Sequence, residues 1–244
     1  MRNIMLIIEY DGTQYSGWQR QNHVLSVEEA VEKTIIKVLN EEIKVLGCSR
    51  TDKGVHAMGY VLNFFTNSKI PAHGIKYALN NKLPRDIVVL DAQDADEEFH
   101  ARYSSIGKTY VYTILNREIP PAIGKNYVFH YKYKLNIELM KEGAKYLIGT
   151  HDFEAFKNKG GSVKTSVRTI KEIKIEKEHD YIKIYITADG FLYNMARIIV
   201  GTLVNVGGGI IIPEKVKEII ESKDRQKAGK TAPPQGLSLL KVYY

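Results

Sequence analysis

A chain of 244 residues with 44% hydrophobic and 26% charged content can bury one large core or two modest ones. It has no apolar run long enough to span a bilayer, and its start, Met1-Arg2-Asn3-Ile4, runs straight into a strand pattern, so neither a membrane span nor export is expected. A single cysteine, Cys48, excludes an intramolecular disulfide and fits a cytoplasmic location, and the net charge of +7 suits a polyanionic partner without requiring one.

In chain order, Ile4 to Tyr10 is the first strand, broken by Asp11-Gly12, with a loop through Trp18-Gln19-Arg20-Gln21 behind it. Val27, Ala30, Val31, Ile35, Val38 and Leu39 recur at helical spacing, and Ser26 with Glu29 forms a capping box at the start of that helix. Ile43 to Leu46 reads as a buried strand, and Tyr60 to Phe65 as another. A helix over about Ala72 to Asn81 is closed by Pro84, and Ile87 to Leu90 is again strand-like.

The second half repeats the order. Lys108 to Leu115 is a strand, followed by an irregular Tyr-rich excursion from Pro120-Pro121 to about Lys134. Asn136 caps a helix running to Ile148. Thr169 to Glu176 and Tyr181 to Thr187 alternate with period two around a polar turn. Phe191 to Val206 is a long apolar helix ended by Gly207-Gly208-Gly209, a short helix follows Pro213, and Leu237 to Tyr243 is the last strand. Two β-α-β-β-α-β units predict an α+β protein of two ferredoxin-like halves, residues 1–104 and 105–244. Their strands are expected to form one mixed, mainly antiparallel sheet, with helices on one side and a central cleft.

Between the strands of the first half lies Gly47-Cys48-Ser49-Arg50-Thr51-Asp52-Lys53-Gly54-Val55-His56-Ala57, a tight polar excursion bracketed by glycines. Its one carboxylate, Asp52, sits between the cations Arg50 and Lys53. An anionic carboxylate held in place can act as a nucleophile or as a base. For an arbitrary Arg-x-Asp, a turn with a surface ion pair is the better reading. This loop, however, resembles the Gly-Arg-Thr-Asp-Ala-Gly-Val-His signature of the TruA family of tRNA pseudouridine synthases, whose catalytic aspartate falls at Asp52. Ser49 departs from the usual glycine and Lys53 from the usual alanine, while Arg50, Thr51, Asp52 and Gly54 are intact.

Further stretches carry the same resemblance. Lys108-Thr109-Tyr110-Val111-Tyr112 is similar to the family's second motif, which implies that Tyr110 lines the uridine pocket while Tyr112 packs. Gly190-Phe191-Leu192-Tyr193-Asn194-Met195-Ala196-Arg197 implies that Arg197 is the ion-pair partner of the aspartate. A cation in an apolar helix needs a partner on physical grounds as well, unless it snorkels to water. Thr231-Ala232-Pro233-Pro234-Gln235-Gly236-Leu237 implies Leu237 near the pocket, and Trp18-Gln19-Arg20-Gln21 matches a segment that meets RNA. Arg20, Gln21, Lys53 and Lys108 are the candidate RNA-binding residues. From Tyr103 to Tyr133, aromatic rings interleave with Lys and Arg, a pattern shared by nucleic-acid surfaces and by exposed, aggregation-resistant strands.

Other signals fail. The seven histidines show no ligand spacing for a metal, and Gly107-Lys108-Thr109 and Gly229-Lys230-Thr231 lack the leading glycine of a phosphate loop. No cofactor and no metal are expected, and His56 reads as a core or hydrogen-bonding residue. The resemblance implies isomerisation of uridine to pseudouridine at positions 38, 39 and 40 of the tRNA anticodon stem-loop by a homodimer. Two alternatives stay open: the same chemistry on another uridine, for which Ser49 and Lys53 leave room, and a non-catalytic RNA-binding protein.

Overall fold

The first strand shows why these residues fold as they do. Along Arg2–Tyr10, Ile4, Leu6, Ile8 and Tyr10 are buried in alternation, so one face of the strand belongs to a core. The protein, seen as a computed structural model, is described over residues 1–160 and 163–244 and is mixed α+β. Its first elements are β1 (Arg2–Tyr10), α1 (Val27–Leu39), β2 (Leu46–Gly47), β3 (His56–Thr66), α2 (Ala72–Asn80) and β4 (Ile87–Ala95). They are followed by β5 (Gly107–Leu115), β6 (Phe129–His130), α3 (Ile137–Lys145), β7 (Gly149–Asp152), β8 (Val167–Glu178), β9 (Tyr181–Ala188), α4 (Met195–Gly207), α5 (Lys215–Ser222) and β10 (Leu237–Tyr243). Two compact units result, Met1–Ile106 with Ser238–Tyr244, and Gly107–Leu237.

In the first unit β1 lies between β3 and β4, antiparallel to both, and β10 returns from the far end of the chain to pair with β3 in parallel. The Ser26 side chain caps α1 by accepting from Glu29 N–H, as the capping box predicts. Two buried asparagines secure the end of the unit. Asn63 donates to Asn3 at 2.9 Å and accepts from Ala101 N–H, while Asn3 donates to the Asp96 and Phe99 carbonyls. Each amide is satisfied, which is the condition for burying it at little cost. The Tyr244 hydroxyl donates to the Ala101 carbonyl, so the C-terminus clasps the same connector.

The second unit is ordered β5-β9-β8-β7, antiparallel throughout, with the short β6 running parallel to β5. Ile182, Ile184, Ile186 and Ala188 of β9 are buried in alternation. Helix α4 is buried along nearly its whole length and packs against α3. A Cβ on Gly201 would stand 1.8 Å from the Lys230 carbonyl oxygen, so glycine lets α4 touch the segment that leads into β10.

Four boundaries differ from the sequence expectation. Strand Ile43–Leu46 reduces to the two-residue β2, because Val45 N–H goes to the Glu32 carboxylate instead of a neighbouring strand. The helix from Asn136 stops at Lys145: Leu147 and Ile148 make short i→i−3 bonds, and Gly149 at φ 108° turns the chain into β7, a strand that periodicity did not reveal. The apolar helix begins at Met195 instead of Phe191, since Asn194 is left-handed at φ 62° and no right-handed helix passes through it. The Tyr-rich excursion contains a 3-10 turn, Lys125–Tyr127, and then β6.

Candidate active site

The Asp52 loop, residues 48–55, connects β2 to β3, and its backbone is hydrogen-bonded at Cys48, Ser49, Thr51, Asp52, Gly54 and Val55. Cys48 N–H donates to the Val61 carbonyl, Trp18 N–H to the Thr51 carbonyl at 3.1 Å, Val55 N–H to the Asp52 carbonyl at 3.1 Å, and Gly54 N–H to the Tyr15 carbonyl. Tyr10 and Thr51 share a buried hydroxyl–hydroxyl hydrogen bond of 2.8 Å. Trp18 stacks on Tyr60 with ring centroids 4.0 Å apart, and both rings are buried. Close approach needs the glycines: a Cβ on Gly47 would lie 2.3 Å from the Tyr60 hydroxyl, and one on Gly17 would lie 2.3 Å from the Thr51 carbonyl. Gly54 takes φ 76° at the exit of the loop. Thr51 is thus buried and fixed, and Asp52 next to it is half-buried on a rigid backbone. His56 is buried, its Nδ1 accepting from Gly12 N–H at 3.0 Å, which agrees with its reading as a hydrogen-bonding residue.

Arg50 is exposed, and its Nε donates to the Gln19 side-chain carbonyl at 3.1 Å. The Gln19 amide is oriented in turn by Glu28 of α1, which accepts from Gln19 Nε2 at 2.8 Å and from Arg20 N–H at 2.7 Å. Burial pushes the Glu28 carboxyl above its ordinary range, against the opposing pull of the Arg20 N–H. The Arg20 guanidinium reaches Glu32 at 2.9 Å and Glu29 at 3.6 Å, while Gln21 and Lys53 are exposed. Arg50 and Arg20 stand out in the sequence but Glu28 does not, because a half-buried glutamate in the first turn of a helix also reads as an ordinary complement to the helix dipole.

In the second unit Tyr110 is buried on β5 and meets Phe191 edge-on at 4.8 Å between centroids. Tyr112, on the same face, is fully buried and donates its hydroxyl to the Pro233 carbonyl at 2.7 Å, so it packs as expected. Burial holds the Tyr112 phenol well above its ordinary range. Lys108 is half-buried at the start of β5, in the strand pair with Ala188. Arg197 donates Nε to the Ala232 carbonyl at 2.8 Å and Nη1 to the Asn194 Oδ1 at 2.7 Å, and Ala232 N–H returns a bond to the Arg197 carbonyl. Leu237 is buried directly after a 3-10 turn, Pro234–Gly236. Arg225 pins the segment before it through the Gly229 carbonyl and Thr231 hydroxyl. Of the interleaved aromatics, Tyr110 and Tyr112 are core, and Tyr103, Tyr127 and Tyr133 are exposed. Among the described residues no group of three or more His, Cys, Asp or Glu could hold a metal ion, and no helix is long and apolar enough to cross a membrane.

The Asp52 loop belongs to the first unit, and the segments around Tyr110, Arg197 and Leu237 belong to the second. Comparison with known proteins shows the family. The family described as tRNA pseudouridine synthase matches residues 6–104 and 144–244. A tRNA pseudouridine synthase A 2 of Clostridium perfringens is 59% identical over the full length of both chains. The tRNA pseudouridine synthases A of Thermoanaerobacter sp. and Clostridium kluyveri are 55% and 54% identical, again over both full lengths. The archaeal box H/ACA sRNP Nop10–Cbf5 complex is similar at a TM-score of 0.38 and 13% identity, over 94% of this chain and 59% of that one. The chain belongs to the tRNA pseudouridine synthase family, and it is accordingly an enzyme of the isomerase class.

Proposed function

We propose that this enzyme converts uridine to pseudouridine at positions 38, 39 and 40 of the tRNA anticodon stem-loop, with Asp52 as its essential carboxylate. The observation that carries the reading is the loop of residues 48–55, which holds an intact Arg50-Thr51-Asp52 on a backbone hydrogen-bonded at Cys48, Thr51, Asp52 and Gly54. Catalysis by a positioned group requires such pre-organisation, because the cost of ordering it has already been met in folding.

The reaction breaks the N1–C1′ glycosidic bond, turns the uracil and joins C5 to C1′; the proton lost from C5 is balanced by one gained at N1. Asp52 acts as nucleophile or base. A target base in a stem-loop must first leave its stack, at a cost of a few kcal/mol. Stacking at about 1–3 kcal/mol per base and cations on the backbone offset that cost. Tyr110 stacks on the extruded base and assists proton transfer at C5. Arg50 contacts the RNA or holds the base out, Arg197 orients Asp52, and Leu237 packs near the base. Arg20, Gln21, Lys53 and Lys108 meet the RNA. The enzyme acts in the cytoplasm as a homodimer, and light scattering giving a monomer mass at working concentration would remove that last element.

Release of tritium from C5-labelled uridine in tRNA transcripts tests the reading, with wild type and Asp52→Ala in parallel. Release by the wild type alone supports it, and mapping the product then separates positions 38–40 from another uridine. Equal release by Asp52→Ala would assign the chemistry to a different group. No release with tRNA still bound would leave a binding protein.

A further inference from the structure

Asn194 occupies the N-cap of α4, yet its side chain caps nothing. An N-cap asparagine ordinarily accepts a hydrogen bond from the backbone N–H two or three residues on. Here its Oδ1 takes a side chain instead: Nη1 of Arg197, the third residue of the helix, at 2.7 Å. Because a guanidinium only donates, the amide must present its oxygen to it, which fixes the amide orientation as well. The backbone of Asn194 stands at φ 62° and ψ 7°, a left-handed conformation that glycine adopts with less strain. Asparagine is the next best residue there after glycine, so the backbone accounts for part of the choice, and the bond of its Oδ1 to Arg197 is what glycine could not supply.

Arg197 is held at a second point, Nε to the Ala232 carbonyl at 2.8 Å, and Ala232 N–H bonds back to the Arg197 carbonyl. A guanidinium is planar and rigid, so contacts at Nε and Nη1 set both its plane and the direction of its outer edge. We propose that Asn194 is a positioning residue, which gives up helix capping to aim the Arg197 guanidinium. The proposal rests on the reading of Arg197 as part of the uridine-to-pseudouridine machinery.

The test is Asn194→Gly, in which the relief of left-handed strain offsets the lost bond to Arg197, so the fold is kept and the melting temperature is expected within about 3 °C of the wild type. Single-turnover tritium release from labelled tRNA is expected to slow by about fivefold, the scale of one net hydrogen bond, with tRNA affinity within about twofold. Asn194→Asp keeps an acceptor at the same reach and runs faster than Asn194→Gly. In an Arg197→Ala background, Asn194→Gly changes the rate by less than about twofold, because a residue acting through Arg197 has nothing left to aim. A wild-type rate for Asn194→Gly, or the same slowing with and without Arg197, overturns the proposal and leaves the functional reading standing. No release by the wild type removes the functional reading, and this proposal falls with it.

Discussion

The hydroxyl of Tyr60 holds both backbone groups of Ser49: it donates to the Ser49 carbonyl and accepts from Ser49 N–H at 3.4 Å. One fully buried phenol on β3 thus anchors the loop three residues before Asp52, and Gly47 leaves the space for it. The catalytic reading of the loop depends on this kind of restraint, and it can be removed with a single oxygen atom.

Tyr60→Phe keeps the ring and its stacking on Trp18 but leaves the Ser49 backbone groups without their partner. Stability is expected to fall by about 1–3 kcal/mol, a loss of roughly 3–10 °C in Tm. Trp18 is the only tryptophan in the chain, so its fluorescence reports directly on this ring pair. Thermal unfolding and tritium release are both measured; a variant with unchanged Tm and rate would show that the hydroxyl restrains nothing of consequence.

Gly17→Ala tests the other side of the loop. Gly17 has φ 93°, and an added methyl would meet the Thr51 carbonyl at 2.3 Å. Backbone strain and collision together are expected to cost about 2–4 kcal/mol and to displace Thr51, with loss of activity. Gly124→Ala is the control, since Gly124 also has positive φ (75°) but nothing within 4 Å of the new methyl. It should lose only about 1 kcal/mol. Urea unfolding of the two variants ranks them.

Glu28 gives a pH dependence whose sign is fixed. Burial, the largest influence, raises its carboxyl above the ordinary value, with Glu32 raising it further and Arg20 and Arg50 opposing. The folded protein therefore binds a proton at a pH where the unfolded chain has lost it. Between the ordinary value, about 4.3, and the raised folded value, stability falls as pH rises through the window. Denaturant unfolding across that window should show the slope, and Glu28→Gln should remove it; an identical slope in both proteins would assign it to another group.

Asp152 works in the opposite sense. Hydrogen bonds from Lys223 at 2.7 Å and from Ser166 lower its carboxyl below the ordinary value. The stabilisation is present above about 3.9, the ordinary value, and is lost as pH falls through the lowered folded value. Asp152→Asn is expected to flatten the acid side of the stability curve. The contribution is small, because Lys223 is largely exposed and the pair is screened.

The elements most legible in the sequence are those written by neighbours along the chain. Alternating Ile4, Leu6, Ile8 and Tyr10 specify β1, and Ser26 with Glu29 specifies the start of α1, because burial face and capping are decided within a few residues. The loop around Asp52 was legible too: Gly47 and Gly54 mark it, and the first is needed for close packing while the second takes φ 76°.

What the chain did not reveal locally was decided by partners far away in sequence. The two-residue β2 and the short β7 carry too few residues for a period to register, and the Glu32 carboxylate takes the N–H of Val45 just ahead of the first of them. That β10 pairs with β3, at Ser238 with His56, depends on which strand face and edge remain uncovered after the chain folds. Asn194 falls inside the helix expected from Phe191; only the tertiary structure makes it the left-handed N-cap whose oxygen meets the Arg197 guanidinium. Periodicity, capping and turn chemistry are short-range and so are written in the sequence. Hydrogen-bond partners across the fold are chosen by three-dimensional proximity, which only the tertiary structure supplies.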